Sequence, residues 1–186
     1  EPLKIVFSEG AHAMPEPAKP SLRIVTPHQE PEGPITPGEV LHRIQLMKAR
    51  CAWEEIIRSF HPLEQKVPEV ANCTEASLIL QEVAFALSQT KRYEEAIQVL
   101  LRCHELSPNS YHVAASIAFN YYNALMSDKS KEIRLGKERP RYVEEAERWF
   151  SLAEDLYPES VVDFYRHGML YQQILEKKDH KAAVLF

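Results

Sequence analysis

Apolar residues begin to recur at helical spacing from Val40 onward. Just before them, Thr36-Pro37-Gly38-Glu39 has the form of a helix start. It offers a hydroxyl N-cap, a proline at the first helical position, and a glutamate three residues on to close a capping box. Val40, Leu41, Ile44, Met47, Cys51, Ile56, Ile57 and Phe60 then recur at helical spacing, which predicts a helix from Pro37 to about Phe60, with Glu54 and Glu55 interrupting the stripe near its end. His61-Pro62 stops it, because the residue before a proline is steered out of the helical region. A second helix is expected from near Pro68 or Thr74, through Ala84, to about Ser88, with helices from there to the C-terminus.

The first 35 residues differ in kind. Eight of the 13 prolines lie between Pro2 and Pro37, around two short β-like runs, Lys4 to Phe7 and Leu22 to Val25. Proline at this density removes amide donors and fixes φ, so an extended or polyproline-like arm is expected in place of helix or central strand. Met14 is a candidate native initiator, which would make residues 1–13 an added leader. An arm of this composition orders only if it docks, and the protein's own helical groove, its outer face or a neighbouring chain are the expected seats.

The helical part repeats itself. Residues 77–108 place Leu80, Val83, Ala84 and Leu87 on a first helix and Ala96, Leu100, Cys103 and a closing Pro108 on a second. The small residues let two antiparallel helices approach closely, while the leucines fill the space beside them. This spacing resembles the tetratricopeptide repeat. A next unit starting at Tyr111 matches again with Ala114, Ile117, Ala118 and Tyr121, then Ala146, Phe150, Ala153 and Pro158, where Ala146 to Pro158 repeats the 12-residue interval of Ala96 to Pro108. Tyr121 to Ala146 spans 25 residues where Leu87 to Ala96 spans 9, so an insertion of 16 is expected, carried by Asp128 to Arg141 as a longer helix end and a basic loop. A third unit begins at Val161 with Phe164, His167, Gly168 and Tyr171; His167 departs from the pattern, and the unit is cut short, with its second helix starting near His180. The resemblance implies an all-α fold, a short right-handed solenoid of antiparallel helix pairs behind the extended arm. Its parts are the arm at 1–35, capping helices at 36–76, and units at 77–110, 111–160 and 161–186. The unfinished last unit leaves Val184, Leu185 and Phe186 without an obvious cover.

In that family the first helices of successive units line a concave face. Carried over position by position, the lining is Leu78, Gln81, Glu82, Phe85, Ser88 and Gln89 in the first unit. In the second it is His112, Ala115, Ser116, Phe119, Tyr122 and Asn123, and in the third Val162, Tyr165, Arg166, Met169, Gln172 and Gln173. Aromatic rings supply contact area at small entropic cost and amides bond an extended backbone, so the resemblance implies peptide recognition. Chaperone-binding members hold a heat-shock protein's terminal carboxylate with a clamp whose positions fall here on Gln81, Phe85, Ser116, Val162 and Arg166. Of these only Arg166 fits, and one cation does not offset a carboxylate's lost hydration.

Composition narrows the alternatives. A net charge of −5 argues against a nucleic-acid binder, which needs an excess of Lys and Arg. Three cysteines, Cys51, Cys73 and Cys103, form no CxxC pair and fit a reducing, cytoplasmic setting. No apolar run reaches the ~18 residues of a membrane span. His104 beside Cys103, and His61 and His112 elsewhere, lack the paired spacing of a zinc site, so no metal and no cofactor is implied. Glu54-Glu55, Glu94-Glu95 and Glu144-Glu145 are neighbours in sequence that do not face one another on a helix, and no phosphate loop, GxSxG or HExxH sequence is present. The insertion carries Lys129, Lys131, Arg134, Lys137, Arg139 and Arg141 against Asp128, Glu132 and Glu138, a solvated basic loop. These readings converge on a non-enzymatic scaffold for a protein or peptide partner, its groove open to the chain's own arm. A self-assembling repeat that forms homo-oligomers, a regulatory or substrate-recruiting piece of a larger enzyme, and RNA binding through related helical repeats, supported only by Trp149 and the basic loop, stand as alternatives.

Overall fold

The computed structural model describes residues 35–127 and 136–173. Its ordered elements are helices: α1 Pro37–Ala49, α2 Trp53–Phe60, α3 Leu63–Lys66, α4 Ala76–Gln89, α5 Tyr93–Leu106, α6 Tyr111–Met126, α7 Arg139–Leu156 and α8 Val161–Gln173. No strand occurs among the described residues, so the all-α class holds. The expectations for the arm at 1–34, for the loop at 128–135 and for the C-terminal segment from 174 lie outside the described residues.

The start of α1 is as its sequence requires. Thr36 accepts from the Glu39 amide at 3.3 Å, and the Glu39 carboxylate accepts from the Thr36 amide at 2.7 Å, closing the capping box. The single helix expected from Pro37 to Phe60 is instead two. Cys51 adopts φ 56°, its amide donates to the Lys48 carbonyl, and the Ala52 amide donates to the Met47 carbonyl, both at 2.9 Å. These two bonds are a Schellman stop, which satisfies the last carbonyls of α1 and turns the chain back along it. Lys91 ends α4 in the same way at φ 61°, with Lys91 donating to Ser88 and Arg92 to Leu87. Both left-handed positions hold residues with a Cβ where glycine is usual.

Between α2 and α4 lies the short α3, which the apolar pattern does not predict. It is tied down by buried Leu63 and by an ion pair from Glu64 to Arg102 on α5, whose guanidinium also reaches the Ala71 carbonyl at 3.4 Å. Helix α4 begins at Ala76, at the later of the two starts expected.

From α4 onward each helix packs on the next, α4 on α5, α5 on α6, α6 on α7 and α7 on α8, with α8 also reaching back to α6. Most positions expected to repeat in the first two units are buried. Leu80, Val83, Ala84, Leu87, Ala96, Leu100 and Cys103, and then Ala114, Ile117, Ala118, Ala146, Phe150 and Ala153, are each at most 3% exposed. Part of the insertion proves to be helix: α7 starts seven residues before Ala146, whereas α5 starts three before Ala96. Arg139 and Arg141 therefore belong to its first turn, and Pro140 occupies a position there that needs no amide.

His61 sits at the seam between α2 and α5, its Nε2 3.8 Å from Glu95. Burial, only partly countered by Glu95, holds its pKa below the ordinary 6.5. The folded state thus disfavours the imidazolium more than the unfolded chain does. Its share of stability is fully present above the unfolded pKa and is lost as pH falls through the depressed folded value. The urea midpoint should therefore drop between about pH 7.5 and 5.5, with a shallower drop in His61→Gln. Separately, Lys91→Gly should raise unfolding free energy by about 0.5–1 kcal/mol, the left-handed penalty less glycine's greater chain entropy; an unchanged or lower urea midpoint would contradict the assignment of strain.

Candidate functional site

The expected lining residues fall on α4, α6 and α8, and the structure joins several of them to partners on α1 and α2. Phe85 is 44% exposed, and its ring meets Trp53 of α2 edge-to-face at 5.5 Å. Lys48 of α1 lies 5.1 Å above the same ring while its Nζ bonds the Glu82 carboxylate at 2.6 Å. Gln45 donates to the other oxygen of Glu82 at 3.2 Å. The charge of Lys48 is thus spent within the protein, and the outward chemistry at this end is aromatic.

Helix α6 continues the surface. Asn120, only 3% exposed, accepts from the Ser88 hydroxyl at 2.7 Å and donates to the Ser116 carbonyl at 2.8 Å, locking α4 to α6. A buried amide left without such partners would cost ~1–3 kcal/mol, so the bond sets the register of the two helices. Phe119 and Tyr122, one turn apart, are half-buried. Arg166 of α8 stacks on Phe119 at 4.1 Å, and both Arg166 and Tyr165 act electrostatically on Tyr122, whose phenol is pushed up chiefly by burial.

Arg166 is itself held from below. Its Nη1 is 3.8 Å from Asp163, whose side chain is 2% exposed. Tyr111 and Ser160 each donate a hydroxyl to Asp163 Oδ2 at 2.5 Å. These bonds give a buried carboxylate the donors it needs, and they join the first turns of α6 and α8. The Tyr111 phenol is raised by burial first and by the Asp163 bond second.

Other expected residues are placed differently. Gln81 turns back to the Ser77 carbonyl at 3.3 Å, and Ser116 is partly buried with its carbonyl engaged by Asn120. His112 is exposed at the start of α6 with its ring against Tyr111, Asn123 and Met169 are half-buried, Leu78 and Val162 are exposed, and Gln173 lies in the last turn of α8. Glu82 and Ser88 act as internal partners. Lys48, Trp53, Asn120 and Asp163 were not foreseen as parts of this surface. Asp163 had a signal, since Ser160-x-x-Asp163 has the spacing of a capping pair at a helix start. Trp53 had none, because it shows only once the chain breaks at Cys51.

Cys103 and His167 have packing roles. Cys103 donates to the Ser77 carbonyl at 3.0 Å, and burial pushes its thiol up, away from the reactive thiolate. His167, at the departure from the repeat pattern, is sandwiched between Phe150 and Tyr171, with its Nδ1 2.8 Å from Glu154.

No family model matches the chain, and no curated protein matches it. Among solved structures it is similar to a chain described as "MamA RS-1 ArsTM double mutant", at 19% identity over 81% of this chain and 90% of that one, with a TM-score of 0.40. That score is below the level at which a shared fold is shown.

A double-mutant cycle on Phe119→Leu and Arg166→Met, read by urea denaturation, should give a favourable coupling of about 0.5–1 kcal/mol. A coupling of zero would mean that the stacked guanidinium contributes nothing beyond its own burial.

Proposed function

We propose that this protein is a tetratricopeptide-type interaction module, a short right-handed stack of helix pairs, which holds an extended peptide segment of a protein partner across α4, α6 and α8. The observation that carries this reading is the row of partly exposed aromatic side chains: Trp53, Phe85, Phe119, Tyr122 and Tyr165. Such rings give large contact area for little lost freedom and dominate peptide interfaces. The two cations among them, Lys48 and Arg166, are neutralised by Glu82 and Asp163. The surface therefore favours a segment with apolar, aromatic or proline anchors and little charge of its own, and a terminal-carboxylate clamp is disfavoured. A non-enzymatic role fits the titratable groups, since Cys103, Asp163 and His167 are each engaged in holding helices together.

Random peptides selected on the immobilised full chain should be enriched in aromatic and proline anchors and depleted in acidic residues. Phe119→Ala with Tyr122→Ala should weaken a selected peptide at least about tenfold, equivalent to ~1.4 kcal/mol, with helix content unchanged by circular dichroism. Full affinity in that variant and in Phe85→Ala would place binding elsewhere and defeat the proposal.

A further inference from the structure

The capping segment carries a separate feature. Residues advance by about 100° along a helix, so Arg43 and Lys48 flank the buried stripe of Val40, Ile44 and Met47 on opposite sides. On the Arg43 side lies a cavity of about 520 Å³. Ile35 and the buried residues Phe60 and Val67 supply its apolar part. Arg43 of α1, Arg58 and Ser59 of α2, and Lys66 of α3 supply its polar part, with Glu69 the one acid among the described residues that line it.

Among the described residues, ion pairing separates these three cations from seven others, and unlike Lys91, Lys137 and Arg139, which also lack a carboxylate within 4 Å, they line one concavity. Lys48, Arg50, Arg92, Arg102, Arg141, Arg148 and Arg166 each have a carboxylate within 4 Å. Arg43, Arg58 and Lys66 have none among the described residues, although Glu39 acts on Arg43 at longer range. Three elements thus bring unpaired positive charge to one concavity, in a chain whose net charge is −5.

We propose that this cavity binds a phosphomonoester that carries an apolar body. Among the described lining residues, three cations and one acid leave two positive charges, which a dianion neutralises and a single carboxylate does not. Two guanidinium forks, an ammonium and a hydroxyl match the several acceptor oxygens of a phosphate. The volume falls within the range of small-ligand sites and exceeds a phosphate ion, which leaves room for an organic body beside the phosphate, with Ile35 at its apolar edge. A free organic phosphate and a phosphorylated side chain of a peptide share this chemistry. The site is distinct from the aromatic surface and does not rest on the peptide reading.

Calorimetric titration of the full chain with phenyl phosphate, inorganic phosphate and benzoate tests the idea. Phenyl phosphate should bind at least about tenfold more tightly than either of the others, and weaken with added salt. Arg58→Gln with Lys66→Gln should lower its affinity at least about tenfold, whereas Lys91→Gln, at an exposed lysine away from the cavity, and Phe119→Ala with Tyr122→Ala should leave it unchanged. A phosphotyrosine peptide that binds more tightly than phenyl phosphate would assign the peptide source, and one that binds more weakly the free metabolite. No binding at millimolar phenyl phosphate, or equal binding to the Arg58/Lys66 variant, overturns the proposal. Should that variant not fold, amide shifts of the wild-type protein on adding phenyl phosphate decide: changes centred on Arg43, Ser59 and Lys66 support the site, and changes scattered or centred on α6 overturn it.

Discussion

The structure depends on how closely helices can approach α6. That helix packs against α5, α7 and α8, and along it Ala114, Ala118 and Ala124 are all at most 1% exposed. A side chain the size of leucine at any of them would push a neighbour outward or force strained rotamers, at a cost of about 1–3 kcal/mol. Because the crossings are tight, the rest of α6 is fixed in position as well. Phe119 and Tyr122 are held there by the same helix that forms the centre of the core, so the candidate surface is rigid to the extent that the alanines are packed.

Much of this was legible because it is periodic. The interval from Ala96 to Pro108 recurs from Ala146 to Pro158, and both sets of small residues are buried as that interval requires. The capping box at Thr36 was legible for a different reason: its two hydrogen bonds are local and need two particular side chains. The stop at Cys51 was not. A Schellman turn is made by backbone groups, and a cysteine in the left-handed region leaves no mark that distinguishes it from a cysteine in a helix. That one omission hid the partners of Phe85, since Trp53 and Lys48 take up their places around the ring only after the chain has reversed. Asn120 was hidden by its neighbours, as a polar residue between Phe119 and Tyr121 whose burial depends on Ser88 of another helix.

Charge is distributed in two ways over the molecule. On the aromatic surface each cation lies over a ring and is matched by an acid, so the ring faces are polarised while the net field stays small. Around the cavity by α1, α2 and α3 the cations are left uncompensated at a concave place, where the walls concentrate the field. As proposed, one surface recognises by shape and the other by charge, and Lys48 and Arg43, one from each, stand on opposite flanks of helix α1.

The carboxylate of Asp163 also says how the array comes apart. Tyr111 and Ser160 give it the hydroxyls that replace its water, and neither donor can be exchanged gradually for solvent at a position only 2% exposed. Ser160 and Arg166 travel with Asp163, so sliding α8 along α6 takes away only the Tyr111 hydroxyl and leaves the buried carboxylate one donor short. The junction between the two helices therefore hangs on one phenol hydroxyl, and the Arg166–Phe119 stack crosses the same boundary.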